Sequence, residues 1–306
     1  MTTGFTGTQV DVRAQDYSRI ILPLARQEKS MLYDRVYVKH DIIGKSFYQD
    51  QIGKWAMSAK TTTNPDTPQN DPALARTRVD IATYNDARLM DRSLLLQELS
   101  DPMSVASVCV QSAVGIQIDQ IIYDALGGTA YRGETGANSV AFPAAKTVDV
   151  DFGADANTGL TPAKVREAKR LMDAAGVPHY DRTIVTDANG LSQMLGFTTV
   201  TSSDYNAVKA LVNGEVDTWL GFKFITLPDG IVNKVGNVAD YFAFQKTGIC
   251  FGMLEELFLR IEERADKSYS KQIYYEISGG AGRLEEDKII KIKGDTSVAV
   301  VNSFDK

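Results

Sequence analysis

The chain contains 306 residues, of which 33 are Lys or Arg and 39 are Asp or Glu, and its net charge at pH 7 is −6. An acidic balance argues against a protein that grips nucleic acid through a basic surface, because phosphate neutralisation needs clustered Lys and Arg. The length allows a sizeable core in one large domain or in two ordinary ones.

The N-terminal segment up to about position 30 is polar and then amphipathic, which predicts an arm with one short helix near residues 18–29, broken by Pro23. Two strand-like segments follow, at residues 35–48 and 76–84, and the second alternates apolar and polar side chains. Residues 54–75 lie between them and are rich in proline and polar side chains. A loop of this length is uncommon inside a compact domain. The pattern therefore predicts a two-stranded flap ordered by a neighbouring subunit, with an unordered surface loop as the alternative.

The flap carries the residues predicted to contact a neighbouring subunit. Trp55 and Met57 are its large apolar side chains and are expected to pack on that neighbour. Its basic side chains are expected to meet acidic patches; they are Lys54, Lys60, Arg76 and Arg78.

The clearest helix follows the flap. Ser100, Asp101 and Pro102 provide a capping residue and a proline in the first turn. The helix runs for about 25 residues and ends at Gly127 and Gly128. Its predicted buried face has helical spacing and consists of Ala106, Val110, Ala113, Val114, Ile118, Ile121, Ile122 and Ala125.

Helices and strands alternate in the next region, after a Gly- and Ala-rich connection at residues 127–159. Thr161 and Pro162 cap a second helix that closes at Gly176. A strand at 182–187, helices at 187–195 and 204–212, and a strand at 221–228 follow, as the sequence patterns predict. This alternation predicts a compact subdomain at residues 150–240. The remaining residues are β-rich.

No group of residues points to catalysis. His40 and His179 lie far apart, and no metal, nucleophile-elbow or zinc-protease motif is present. Adjacent glutamates at 255–256 and 262–263 would point to opposite faces of a strand, which favours a solvated charged edge over an acid–base pair. We therefore predict no enzyme activity, no cofactor and no metal site.

The segment ISGGAGRLEEDKIIKI, residues 277–292, is the candidate phosphate loop. It matches neither the GxxxxGK[ST] nor the GxGxxG pattern, because Glu285 stands where a third glycine would be. We predict a structural turn between two strands, with the glycines supplying conformations that other residues resist. The predicted turn residues are Gly279, Gly280, Gly282 and Arg283.

Cys109 and Cys250 form no CxxC pair, so a disulfide framework is not expected and a reducing, intracellular setting is. The sequence shows no signal peptide and no apolar stretch of the ~18 residues that a membrane span needs. We expect a soluble protein with no membrane partner.

Four strings in order carry a resemblance to a known family. They are RVDIATYNDARLMDRSLLLQELSDPMS, IDQIIYDALGGTA, SSDYNAVKALVNGEVDTWLGFKFI and KQIYYEISGGAGRLEEDKIIKIKGD. Together they resemble the major capsid proteins of tailed bacteriophages, which share the Hong Kong 97-like fold. The resemblance implies an α+β fold with an N-terminal arm (1–38), an extended β-hairpin loop (39–86) and a peripheral subdomain with a long spine helix (87–149). An axial subdomain (150–240) and a return to the peripheral subdomain (241–306) complete it.

The resemblance also implies a function. Subunits of this kind form hexamers and pentamers of an icosahedral shell around double-stranded DNA, without reading its sequence, and are assembled in the bacterial cytoplasm. Only a short arm precedes the extended loop, so a separate scaffolding protein is expected, with the mature form of a processed chain as the alternative. A portal and a possible decoration protein are further expected partners. The alternatives are an encapsulin-type compartment shell and a nucleotide-acting α/β enzyme built on residues 160–230.

Overall fold

The computed structural model describes residues 27, 29–55, 57–63, 66, 71–91, 103–197 and 218–298. Three α-helices lie in these ranges, namely α1 (Met103–Gly127), α2 (Pro162–Ala174) and α3 (Ala188–Leu195). The strands in the same ranges are β1 (Tyr37–Lys39), β2 (Ser46–Ile52), β3 (Leu74–Asp80), β4 (Ala82–Met90), β5 (Ala130–Arg132), β6 (Asn138–Val140), β7 (Thr147–Val148), β8 (Arg182–Thr186), β9 (Thr218–Trp219), β10 (Phe222–Thr226), β11 (Lys234–Val235), β12 (Val238–Gln245), β13 (Ile249–Arg264), β14 (Ser270–Arg283) and β15 (Ile289–Asp295).

The three helices confirm the sequence predictions for these segments. α1 has 25 residues, so at ~1.5 Å per residue it is roughly 37 Å long. Thr161 caps α2 by accepting the backbone N–H of Lys164, and Asp187 caps α3 by accepting that of Gly190. The predicted cap of α1 at residues 100–102, the arm helix and the helix at 204–212 lie wholly or mainly outside the described residues.

The main core forms around a seven-stranded sheet. Its strand order is β7-β15-β12-β8-β10-β9, and β11 pairs with β12. β8 is buried along its whole length, because β12 and β10 flank it on both sides. The C-terminal half of α1 contributes Ile118, Ile122 and Leu126 to the same core. Because α1 shares this core, burying its apolar face also holds the helix to the sheet.

Two further sheets extend from this core. The first has the order β1-β13-β14-β4, and α1 packs against β14. The second has the order β2-β3-β5-β6 and contains the antiparallel β2–β3 hairpin, whose register runs from Ser46 opposite Asp80 to Ile52 opposite Leu74. A small separate cluster of buried apolar residues lies at the base of this hairpin: Ile42, Phe47, Val79, Cys250 and Leu284.

The strand predictions near the hairpin are partly wrong. The strand predicted at residues 35–48 is divided into β1 and β2, because Asp41 and Gly44 have φ values of 57° and 100° and turn the chain. The strand predicted at 76–84 is interrupted at Ile81, and its two halves join different sheets. The connection predicted at 127–159 contains three short strands, β5, β6 and β7.

The predicted turn at the glycine-rich segment is also wrong. Gly279, Gly280, Gly282 and Arg283 lie inside β14 and pair with β13, from Gly279 opposite Met253 to Arg283 opposite Ile249. None of these glycines has a positive φ. The chain instead turns after β14, in a single 3₁₀ turn at Glu286–Lys288. The glycines are needed for space, not for unusual backbone conformations.

Candidate assembly surfaces

The β2–β3 hairpin projects the residues predicted to contact a neighbour. The backbone N–H of Gly53 bonds the carbonyl of Ala73 and continues the hairpin ladder by one residue. Beyond it, the described part of the loop from 54 to 63 forms no helix or strand, and its side chains are exposed. Trp55 is 77% exposed and Met57 is fully exposed. Two large apolar side chains therefore face solvent in the single subunit, at the predicted contact.

The basic side chains of the hairpin already have partners in the same chain. Arg76 forms two bonds with Asp50, at 2.6 and 3.0 Å, and this guanidinium lowers the pKa of the carboxyl group. Arg78 lies 3.1 Å from Asp80. Lys54 donates to a backbone carbonyl at the end of α2, at 3.1 Å, whereas Lys60 is exposed in the loop.

Four aspartates match the four basic residues over residues 46–80, so this segment has no net charge. The hairpin therefore lacks the positive balance that would make charge its main attraction for an acidic neighbour. Its exposed apolar side chains are the more distinctive feature of the surface.

The glycines of β14 leave space into which the base of the β2–β3 hairpin packs. A Cβ at Gly280 would lie 2.1 Å from the carbonyl oxygen of Asp80, and one at Gly282 would lie 2.5 Å from the side chain of Val79. Gly252, opposite Gly280 on β13, similarly leaves room for Phe47. Glycines within a strand pattern can mark such close approaches, and this is the signal that the turn prediction overlooked.

Arg283 connects three elements from a fully buried position. Its guanidinium donates to the carbonyls of Gly128 at 2.7 Å and Val140 at 2.9 Å, and it stacks over the Phe142 ring at 5.1 Å. Burial lowers the pKa of Arg283, and the nearby Glu286 carboxylate opposes this shift. The residue therefore links the end of α1 to β6, the edge strand of the hairpin sheet.

Asp119 holds the end of the N-terminal arm against α1. Its buried carboxylate accepts bonds from the backbone N–H groups of Met31 and Leu32 and from the Ser30 hydroxyl. Gly115, one turn earlier, lets the arm backbone approach, since a Cβ there would lie 2.7 Å from the Ser30 nitrogen. Asp119 was not among the predicted site residues, although a single acidic residue within an apolar helical face could have indicated it.

Lys164 is a buried cation at the centre of a ring of carbonyl groups. Its Nζ donates to the carbonyls of Val150 and Thr158 at 2.8 Å, and to those of Gly159 and Lys293 at 2.9 Å. An ammonium group has three hydrogens, so at least one of them is shared. The side chain thereby ties the segment before α2 to β15.

Burying the charged ammonium group of Lys164 carries a desolvation penalty. Burial lowers the pKa of Lys164 to about 8, and the carboxylates of Asp151 and Asp295 oppose that shift. The ammonium form, which can satisfy all four carbonyls, still predominates at pH 7.

A second exposed surface lies at the far end of the β13–β14 hairpin. The last pair between β13 and β1 is at Gly252, and β13 continues well beyond it, to Arg264. The described side chains of β13 from residue 257 to 264 are exposed, including Leu259 and Ile261. β4, on the other side of β14, is also exposed along most of its length.

The residues considered for catalysis are not brought together. His40 and His179 are both exposed, and His179 lies 3.4 Å from Asp173. In the described part of the chain, no group of three His, Cys, Asp or Glu side chains could hold a metal ion. No helix in those ranges is long and apolar enough to cross a membrane.

Comparison with known proteins identifies a related family. A family model described as "Phage capsid protein" matches residues 11–295 of the chain. No curated protein matches the chain.

Solved structures with the same fold are phage capsids of low sequence identity. The capsid of Ralstonia phage GP4 has a TM-score of 0.72 at 9% identity, covering 96% of this chain and 98% of that one. The Cyanophage Pam1 capsid has a TM-score of 0.71 at 10% identity, with coverages of 97% and 100%. The capsid of Cyanophage P-SCSP1u has a TM-score of 0.67 at 16% identity, with coverages of 92% and 93%. At these identities the likeness shows the fold, which is the predicted α+β capsid fold.

Proposed function

Because the chain belongs to the phage capsid protein family and is a structural protein of the virion capsid, we propose that its copies form hexamers and pentamers of an icosahedral head around double-stranded DNA. The observation that carries this proposal is the family match, which spans residues 11–295 and so includes every described sheet and helix. The match favours the phage coat over the encapsulin and nucleotide-enzyme alternatives.

The exposed hairpin supports a specific mode of assembly. Trp55 and Met57 are held out from the subunit on a two-stranded stem, and the stem is fixed at its base by Phe47 and Val79. A rigid base and an exposed apolar end suit a projection that lies across an adjacent subunit. Burying both side chains there would remove apolar surface from water, which is the main driving force of most protein association.

Partners other than the chain itself follow from the proposed role. The net charge of −6 favours enclosing DNA over binding it tightly, because a shell that neutralised many phosphates would hold its contents. We propose assembly in the bacterial cytoplasm with a separate scaffolding protein and a portal, and with a possible decoration protein outside. We further propose that no residue is catalytic, so Ala substitutions of His40 and His179 leave assembly intact.

Electron microscopy of the chain, expressed alone and with the products of its neighbouring genes, tests the proposal. Closed shells of uniform diameter are the expected result. A folded monomer under both conditions, at every concentration examined, would contradict it.

A further inference from the structure

The outer edge of β13 is open over most of its length. β1 pairs with it only from Cys250 to Gly252, and in the described part of the chain no other strand covers this side up to Arg264. Its backbone N–H and C=O groups along that edge therefore lack a strand partner. Open edges of this length are templates for pairing with another chain.

The side chains beside this edge divide into two kinds. Two irregularities in pairing, between Met253 and Phe258, precede a regular stretch that continues to Arg264. In that stretch alternate residues point to opposite faces. One face carries Leu259, Ile261 and Glu263. The other carries Phe258, Arg260, Glu262 and Arg264.

We infer that β13 pairs edge to edge with β13 of a second copy, antiparallel across a twofold axis, with Ile261 opposite its own copy. This inference rests on the proposed self-assembly and specifies one of its contacts. It joins the β4-β14-β13 strands of each copy into one six-stranded sheet. The Ile261 side chain, 52% exposed in the single subunit, becomes covered at the centre of that sheet.

Symmetry restricts the register of such a pair. Residues directly opposite each other in a sheet point to the same face, so a twofold axis perpendicular to the sheet must place one residue opposite its own copy. A centre at Arg260 or at Glu262 would set identical charges against each other, which is destabilising. A centre at Ile261 avoids both of these pairs of like charges.

Charges become complementary when Ile261 is the centre. Arg260 then faces the partner's Glu262, and Glu262 faces the partner's Arg260. In the single subunit these two side chains form an exposed ion pair at 2.5 Å. Pairing converts two such ion pairs into an alternating group of four charges. Phe258 lies opposite the partner's Arg264, an arrangement that allows a cation–π contact.

The same charges explain why an open edge would not pair indiscriminately. Charged side chains along an edge disfavour most strand partners and registers, because they meet apolar groups or like charges. Among the antiparallel registers, the one centred on Ile261 places Arg260 opposite the partner's Glu262, although it also sets Leu259 opposite the partner's Glu263. The edge thus favours a second copy of this chain over unrelated strands.

Disulfide trapping in assembled particles tests the register. Cys residues at 261 in paired copies would have Cα atoms about 5 Å apart, within the range that a disulfide requires. Ile261→Cys shells should give a crosslinked dimer under oxidation. Leu89→Cys is the matched control, because Leu89 is similarly exposed (47%) but lies on β4, at the opposite edge of the sheet. Shells that form normally but give no more dimer with Ile261→Cys than with Leu89→Cys would overturn the inference while leaving the proposed function in place.

Charge reversal provides a second test that does not depend on a disulfide. Arg260→Glu alone and Glu262→Arg alone each place like charges opposite each other, so each should assemble at least tenfold less than the wild type. A mixture of the two variants restores opposite charges between chains but not within either chain. Recovery of shells in the mixture is therefore the expected result. Failure of the mixture, with restoration only in the double variant, would show that the pair acts within one chain and would overturn the inference.

Discussion

The backbone N–H of Leu32 donates to the buried carboxylate of Asp119 at 2.9 Å and fixes the end of the N-terminal arm on α1. The same carboxylate accepts the N–H of Met31. Only an acceptor satisfies these groups, and a buried N–H without a partner is costly. Asp119 thus holds residues 30–32 against α1.

Replacing Asp119 with Asn should lower the free energy of unfolding by roughly 1–3 kcal/mol, because the amide has one acceptor oxygen instead of two and turns its NH2 group towards the donor amide of Gln27. Asp124→Asn is the control on the same helix, since its carboxylate is exposed and bonds the Gln120 side chain. Urea unfolding measures both variants. Equal midpoints for the two variants would contradict the role given to Asp119.

A Cβ at Gly280 should disturb the hairpin base. It would lie 2.1 Å from the carbonyl oxygen of Asp80, and a backbone atom cannot move aside cheaply. Gly279→Ala is the matched control, because its nearest neighbour would be the Phe251 ring at 3.3 Å. The midpoint temperature of thermal unfolding should fall further for Gly280→Ala than for Gly279→Ala, by several degrees. A larger effect at Gly279 would mean that the close approach is misassigned.

Replacing Lys164 with Met should lower the free energy of unfolding at pH 7 by about 2–5 kcal/mol, since four buried carbonyls lose their donor. Lys169→Met, on the same helix but only half-buried, should have little effect. Urea unfolding at pH 7 measures both.

The pH dependence of the Lys164→Met effect has a defined sign. The folded chain loses the Lys164 proton near pH 8, whereas the unfolded chain keeps it until about pH 10.5. Between these values the unfolded state holds more protons, so the contribution of this group to stability rises with pH. The difference between wild type and Lys164→Met should therefore widen from pH 8 to pH 10. A difference that narrows would indicate that the carbonyls raise the pKa of Lys164.

The sequence predicted the elements whose signals are local. α1, α2 and β8 were correct because helical spacing, the Thr161 cap and a short apolar run need no knowledge of distant residues. The capsid resemblance was likewise confirmed by the family match. Its subdomain boundaries and the inter-subunit roles of the flap residues remain predictions.

The positions that the sequence did not predict depend on partners far away in the chain. Gly280 looks like a turn residue until Asp80, which is distant in sequence, is placed against it. Lys164 looks like an ordinary polar position of an amphipathic helix, and Asp119 stands out only as a single acidic residue in an apolar helical face, because the carbonyls and N–H groups that surround them come from other segments. A local pattern can mark such a position, but it does not identify the partners.

Deleting residues 58–72 should leave a folded subunit that cannot close a shell. The deletion removes only the end of the hairpin loop and leaves the buried cluster at its base, so the unfolding midpoint should change little. Microscopy and sedimentation should show no closed particles. Normal shells from this variant would mean that the loop has no part in assembly.

Hydrogen exchange across residues 54–72, compared between free subunits and assembled shells, tests most directly the central claim that a neighbouring subunit orders the loop. The account predicts fast exchange in the free subunit and strong protection after assembly, because the loop is then laid across a neighbour. Residues 182–186 in β8 serve as an internal reference, since they are buried within the subunit and should be protected in both states. Fast exchange across 54–72 in both states would contradict the account, because an interface must protect the segment that it orders.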